Sequence, residues 1–110
     1  MDDLEDWKKL KIAKVAKIER VVAEFQVWSI GIFPYAKIKV KILEDSHGSY
    51  MGTPNMAAKS RRDGSPDWIS GSGKSIAEAL EDTIKHLLDS IAENGAVSEN
   101  DFEWSAPEDF

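Results

Sequence analysis

An apolar stripe behind a helix-capping motif is the feature that most restricts the fold of this 110-residue chain. Apolar side chains recur at helical spacing between positions 76 and 91, and most polar residues between them fall on the other side. Ser75 and Glu78 have the spacing of a capping box, and Asn94-Gly95 is typical of a helix end. The pattern predicts one long helix that starts at Ser75.

Segments upstream of this helix have the pattern of β-strands. Residues 25–33 are rich in aromatic and β-branched side chains, and residues 35–43 alternate between apolar side chains and others. Pro34 lies between them, so they form either a hairpin or one long strand with a break. We expect further short strands at residues 49–53 and 68–69.

Three stretches have weaker patterns. Residues 55–66 are polar and are predicted to form a loop. Residues 8–22 suit either a helix or a strand, and we favour a strand from about Lys14 to Val22 after a helical or loose lead-in. Residues 96–110 are acidic and lack any period, which is typical of a flexible tail.

The fold class that follows is α+β. We predict a single domain over residues 1–95, in which one long C-terminal helix packs on an antiparallel sheet of three to five strands. A flexible acidic tail over residues 96–110 completes the chain.

Charge is sorted along the sequence. Positions 7–75 hold 13 Lys/Arg against 6 Asp/Glu, whereas positions 76–110 hold one Lys against ten carboxylates. The formal net charge of −6 therefore combines a basic body with an acidic end. Such asymmetry indicates a polyanionic partner, usually nucleic acid, or a tail that masks the body.

Several classes of function lack support in the residues. The absence of Cys excludes disulfides, Cys-based zinc sites and thiol chemistry, and it suits the cytoplasm. The acidic N-terminus is unlike a signal peptide, and no apolar stretch approaches a membrane span, so we expect no membrane partner. His47 and His86 lack ligand-spaced partners, and no catalytic constellation is visible. We expect no metal, no cofactor and no enzymatic activity.

Three lysines on one face of the second strand are the main candidate site. Lys37, Lys39 and Lys41 recur every second residue, which places neighbouring ammonium groups roughly 6–7 Å apart. This spacing is close to that of phosphates in a single nucleic-acid strand. The alternative is a solvated sheet face, where lysines discourage edge pairing.

Other residues extend this candidate site. Because single-strand binders combine cations with aromatic platforms, aromatic residues near the strands are candidates for base stacking: Trp28, Tyr35 and Tyr50. Trp28 suits the core under the helix equally well. Cations of the long loop are candidates to close over a bound strand: Lys59, Arg61 and Arg62.

A glycine-rich turn at residues 70–75 leads into the helix, where free N–H groups attract anions. It is not a Walker A motif, because Trp68 stands where the first Gly is required. A bound phosphate or small nucleotide stays an alternative there.

Pro107, Glu108, Asp109 and Phe110 resemble the C-terminal arm of bacterial and phage single-stranded-DNA-binding proteins, which is acidic and closed by Phe. The resemblance implies that the arm docks protein partners and competes with DNA for the protein's own basic groove. Residues 48–87 resemble, more weakly, SpoVG-like nucleic-acid-binding folds. The strand, glycine and Glu78-Ala79-Leu80 helix start are similar to HicB-type antitoxins.

The sequence therefore predicts a non-enzymatic single-stranded nucleic-acid-binding protein of host or phage DNA replication or recombination. DNA is favoured over RNA, homo-oligomers are expected, and Glu108, Asp109 and Phe110 would bind protein partners. The alternatives are a small acidic inhibitor or antitoxin-type protein, and a nucleotide-sequestering protein.

Overall fold

Two antiparallel sheets and one long helix make up the protein in the computed structural model, which describes residues 3–28 and 37–110. The strands in that part of the chain are β1 (Arg20–Trp28), β2 (Lys37–Glu44), β3 (Tyr50–Pro54), β4 (Met56–Lys59), β5 (Pro66–Asp67), β6 (Gly71–Gly73) and β7 (Phe102–Trp104). The helices are α1 (Asp3–Asp6) and α2 (Ile76–Asn94), with 3-10 turns at Trp7–Lys9, Glu99–Asp101 and Pro107–Asp109. The predicted α+β class is confirmed.

The first sheet has the strand order β1-β2-β3-β6 and forms the core together with α2 and β4. In β2 the predicted alternation is confirmed, because Ile38, Val40 and Ile42 are at most 2% exposed and pack with the buried residues of α2. The strand predicted to start near Lys14 is corrected, since β1 begins at Arg20. The Pro34 connection predicted between the first two strands lies outside the described residues.

Helix α2 begins and ends where the capping residues predicted. Ser75 Oγ accepts a hydrogen bond from the Glu78 N–H at 3.1 Å, and Glu78 Oε2 accepts one from the Lys74 N–H at 3.0 Å. At the other end Gly95 has a φ of 63°, the left-handed conformation that glycine adopts without steric cost. The side of the helix that covers the first sheet carries the buried residues Ala79, Thr83, Leu87 and Ile91.

The second sheet, of order β5-β4-β7, occupies the region predicted as a loop. The prediction of a loop over residues 55–66 is wrong for β4, where Met56, Ala57 and Ala58 are fully buried. Three apolar residues between polar ones are too short a run to show a period, so local pattern could not identify them. The short strand predicted at residues 68–69 is also corrected, since β5 and β6 flank those positions.

The predicted flexible tail over residues 96–110 is corrected as well. Strand β7 pairs with β4, and Phe102 is 4% exposed, a burial that stabilises the fold by about 2–3 kcal/mol. Before the strand, the carboxylate of Asp101 accepts hydrogen bonds from the N–H groups of Val97 and Ser98, at 2.9 and 3.0 Å. The folded unit thus extends beyond residue 95, because sheet pairing outweighs the acidic composition.

A buried carboxylate with two partly exposed cations attaches the N-terminal segment to the end of the first sheet. Glu44 is 3% exposed, and its carboxylate lies 2.7 Å from Lys8 Nζ and 3.0 Å from Arg20 Nη2. These contacts hold Trp7–Lys9 against the sheet although residues 10–19 form no strand. Across residues 3–28 and 37–110, no helix has the length and apolar character needed to cross a bilayer.

Candidate nucleic-acid interface

The three predicted lysines lie together on the face of the first sheet that points away from the helix. Lys37 and Lys39 are exposed, and Lys41 is half-buried. The three lysines share one face because side chains alternate along β2, which buries Ile38 and Val40 on the opposite face. The result is a linear array of ammonium groups, called here the lysine face.

Residues of β1 lie directly beside each lysine of this face. Trp28 is paired with Lys37, whose Nζ lies 5.6 Å from the centre of the indole ring. Gln26 is paired with Lys39, and Glu24 with Lys41. Trp28 is 68% exposed, so the alternative of a core tryptophan is excluded and the ring is open to stacking.

Tyr50 does not join the lysine face. In the register of β2 and β3 it lies opposite Glu44, whose side chain is buried on the helix side of the sheet. Tyr50 is half-buried and packs against the core. The structure therefore does not bring Tyr50 together with the lysines, and the predicted platform at Tyr35 lies outside the described residues.

The loop cations belong to a different part of the molecule. Lys59 ends β4 of the second sheet, and the Arg61 N–H donates to Asn94 Oδ1 at the end of α2, at 3.4 Å. Arg61 and Arg62 are exposed in the turn after β4. The Arg61 guanidinium lies beside Gly95, where it interacts favourably with the C-terminal end of the helix dipole, which is a structural role. The structure does not gather these cations with the lysine face.

Asn55 joins the lysine face to the acidic end of the chain, a role that the sequence did not reveal. Its backbone N–H donates to the Lys39 carbonyl at 2.9 Å, and its Oδ1 accepts the Lys39 N–H at 3.0 Å. Its own carbonyl accepts the Ser105 N–H at 2.8 Å. No local pattern marked this residue, because its hydrogen bonds join positions that are far apart in the chain.

Beyond Ser105 the chain reaches the lysine face itself. The Phe110 ring lies 4.6 Å from Lys41 Nζ, within the range of a cation–π contact. Phe110 is half-buried, and Glu108 and Asp109 precede it in an exposed turn. The acidic end therefore contacts one cation of the candidate interface.

The glycine-rich turn at residues 70–75 is occupied by carboxylates of the helix. Asp82 Oδ2 accepts the Ser72 N–H at 2.9 Å, and Glu78 accepts the Lys74 N–H. These donors are the groups that would otherwise attract a phosphate. The geometry thus disfavours an anion at this turn.

The two histidines lie on separate elements, His86 in α2 and His47 in the turn after β2. His86 Nδ1 lies 2.8 Å from the Ser70 carbonyl oxygen, and its Nε2 lies 3.5 Å from Asp82. The backbone N–H of His47 donates to Asp45 Oδ1 at 2.8 Å in the turn after β2. Within residues 3–28 and 37–110, no group of three or more His, Cys, Asp or Glu side chains is arranged to hold a metal.

Comparisons of the chain with protein-family models, with characterised proteins and with solved structures found no match. Function is therefore argued from the geometry of the lysine face, its tryptophan and the acidic segment that contacts it.

Proposed function

We propose that the protein is a non-enzymatic single-stranded nucleic-acid-binding protein of the cytoplasm, with DNA favoured over RNA. The observation that carries this proposal is the linear array of Lys37, Lys39 and Lys41 with the exposed Trp28 ring beside its first member. The lysines neutralise successive phosphates while Trp28 stacks on a base. Binders of single strands combine these two elements because every base has a face for stacking.

The flat lysine face suits a single strand better than a duplex. The array runs along an extended strand, so it follows one extended backbone, and the helix lies on the other side of the sheet. Neutralising three phosphates on a single strand gives a slope of about −2 in a plot of log affinity against log salt. The steep loss of affinity with salt is the signature to measure.

Reversing the charge of the lysine face should abolish most of the binding. We expect the Lys37→Glu/Lys39→Glu/Lys41→Glu variant to bind labelled oligo-dT at least about 100-fold more weakly at low salt, because three phosphate contacts become repulsive. Fluorescence anisotropy at two salt concentrations measures both the affinity and the slope.

The matched control reverses three exposed lysines outside the face, in Lys9→Glu/Lys11→Glu/Lys14→Glu. It changes the net charge by the same amount but should weaken binding by no more than about fivefold, through long-range electrostatics alone. Equal losses in the two variants would contradict a specific lysine face. Absence of oligo-dT binding by the wild type at low salt would reject the proposed function.

The acidic segment is proposed to mask the lysine face when no nucleic acid is bound. Glu108→Gln/Asp109→Asn/Phe110→Ala removes two charges and the ring on Lys41, so oligo-dT should bind about three- to tenfold more tightly. A Glu93→Gln/Glu99→Gln control, which removes two exposed carboxylates elsewhere, should change affinity less. Weaker binding by the first variant would argue against masking.

Point variants are required here because trimming the chain after Val97 removes Phe102 and strand β7. That deletion would uncover the fully buried side chains of β4 and destabilise the fold. When nucleic acid displaces the segment, Glu108, Asp109 and Phe110 become available to protein partners with a basic-rimmed apolar pocket.

A further inference from the structure

A cleft with two half-exposed tryptophans lies where the acidic segment returns to the sheets. Its volume is about 420 Å³, within the size range of small-ligand sites. Three distant segments form it: the end of β3, the connection between β5 and β6, and the chain from β7 onward. The side chains important for recognition are Trp68, Trp104, Phe110, Glu103 and Asp109.

One of the two tryptophans of the cleft belongs to the second sheet. Trp104 is paired with the fully buried Met56 in the second sheet, and the adjoining Ser105 N–H is bonded to the Asn55 carbonyl. Trp68 and Trp104 nevertheless stay 46% and 40% exposed. Large exposed rings with only two side-chain torsions are suited to bind a ligand with little ordering cost.

The charged part of the cleft is negative. Glu103 and Asp109 line it, and both are exposed. Lys41 is not part of the lining, but its Nζ lies 4.6 Å from the centre of the Phe110 ring, so an ammonium group already contacts one aromatic ring of this region. Carboxylates beside π faces attract cations and repel phosphates, which makes the chemistry of the cleft opposite to that of the lysine face.

We propose that this cleft binds an alkylammonium group, as found in small quaternary amines and in the lysine side chains of basic peptides. The tryptophan faces contact the apolar carbons and the diffuse positive charge, and Glu103 and Asp109 supply the counter-charge. The proposal does not depend on nucleic-acid binding, because Trp68, Trp104 and Glu103 take no part in the lysine face and the ligand carries the opposite charge.

The test compares two molecules of nearly the same shape, choline and its uncharged carbon analogue 3,3-dimethylbutanol. Each is titrated at constant ionic strength while the four indole N–H resonances are followed by NMR. Choline should shift the resonances of Trp68 and Trp104, leave those of Trp7 and Trp28 unchanged, and bind at least about fivefold more tightly than the alcohol. Nα-acetyl-lysine amide and Nα-acetyl-Nε-trimethyl-lysine amide, whose side chains keep their positive charge, are titrated in parallel. They distinguish a peptide side chain from a free amine as the preferred source.

Two variants test whether choline binds in this cleft. Glu103→Gln/Asp109→Asn should weaken choline binding about fivefold or more, and Trp68→Leu should remove the preference for choline over the alcohol. The Glu93→Gln/Glu99→Gln variant, whose carboxylates lie outside the cleft, should bind choline as the wild type does.

Three results would overturn the proposal. They are equal binding of choline and the alcohol, choline-induced shifts confined to Trp7 or Trp28, and stronger shifts of Trp68 and Trp104 by a nucleoside monophosphate than by choline. The last result would assign the cleft to base stacking. Failure of oligo-dT binding would leave the alkylammonium site untouched, so the two proposals are tested separately.

Discussion

Replacing Gly71 by alanine is expected to destabilise the protein by about 3 kcal/mol, because the added methyl group would overlap the backbone of helix α2. A Cβ at this position would collide with the Thr83 backbone nitrogen and approach Thr83 Cα to 2.6 Å. Backbone atoms of a helix cannot rotate away as a side chain can. The helix would have to move off the sheet, with loss of packing along its length.

Gly52 provides an informative comparison, because its neighbour is mainly a side chain. A Cβ there would overlap Thr83 Oγ1 and reach Thr83 Cβ at 3.0 Å and the Ala79 carbonyl oxygen at 3.2 Å. Gly52→Ala alone should cost about 2–3 kcal/mol of unfolding free energy. Thr83→Ala removes the overlapping oxygen, so the double variant should recover at least about 1 kcal/mol, whereas Thr83→Ala should not rescue Gly71→Ala.

Urea unfolding followed by circular dichroism measures these free energies in a double-mutant cycle. Ser72→Ala is the control, because its side chain points to the other face of the same strand, and it should change stability by less than about 0.5 kcal/mol. A Gly71→Ala protein as stable as Ser72→Ala would refute the close approach of helix and sheet.

The second large effect is expected at Glu44. Glu44→Gln should lower the unfolding free energy by about 2 kcal/mol, since it weakens the two charge-assisted hydrogen bonds that Glu44 accepts from Lys8 and Arg20. Glu24→Gln changes an exposed carboxylate of the same sheet and should have an effect below about 0.5 kcal/mol.

The pH dependence of stability follows from the same contact. The hydrogen bond from Lys8 is the main cause that holds the pKa of Glu44 below its ordinary value of 4.5. The folded state therefore prefers the ionised form, so this contribution is complete above about pH 4.5 and is lost as the pH falls through the lowered pKa. In turn Glu44 raises the pKa of Lys8, whose contribution is complete below pH 10.5 and is lost at higher pH.

Unfolding titrations between pH 3 and pH 7 test this assignment, because most carboxyl groups change from ionised to protonated within about that range. The wild type should lose more stability on acidification than Glu44→Gln, because the variant lacks the group that becomes protonated. Parallel curves for the two proteins would show that another carboxylate causes the loss of stability at low pH.

The elements that sequence pattern identified share a long, regular period. Helix α2 extends over 19 residues between Ser75 and Gly95, so its caps and apolar stripe repeat the same signal several times. Strand β2 alternates over its whole length, which placed Lys37, Lys39 and Lys41 on one face. Those three residues are the part of the candidate interface that local pattern was able to predict.

Other positions depended on which face of a strand meets the helix. Tyr50 stands next to Met51, and only the register with β2 shows that Tyr50 is on the core side. Composition misled at β4 and β7, which are neighbours in the three-stranded second sheet and contribute the buried residues Met56, Ala57, Ala58 and Phe102. A run of three residues is too short to show a period, so the pairing of such strands cannot be predicted from local sequence pattern.

The sequence by itself determined one capped helix, an alternating strand with three lysines and a division of charge along the chain. Only the tertiary structure decided that the acidic segment is joined to the second sheet, that Phe110 lies on Lys41, and that Trp68 and Trp104 share a cleft. The physical reason is range: helix and strand periods arise from neighbouring residues, whereas these contacts join residues far apart in the chain. Their stability comes from burial of Phe102 and β4, which no local stretch of sequence contains in full.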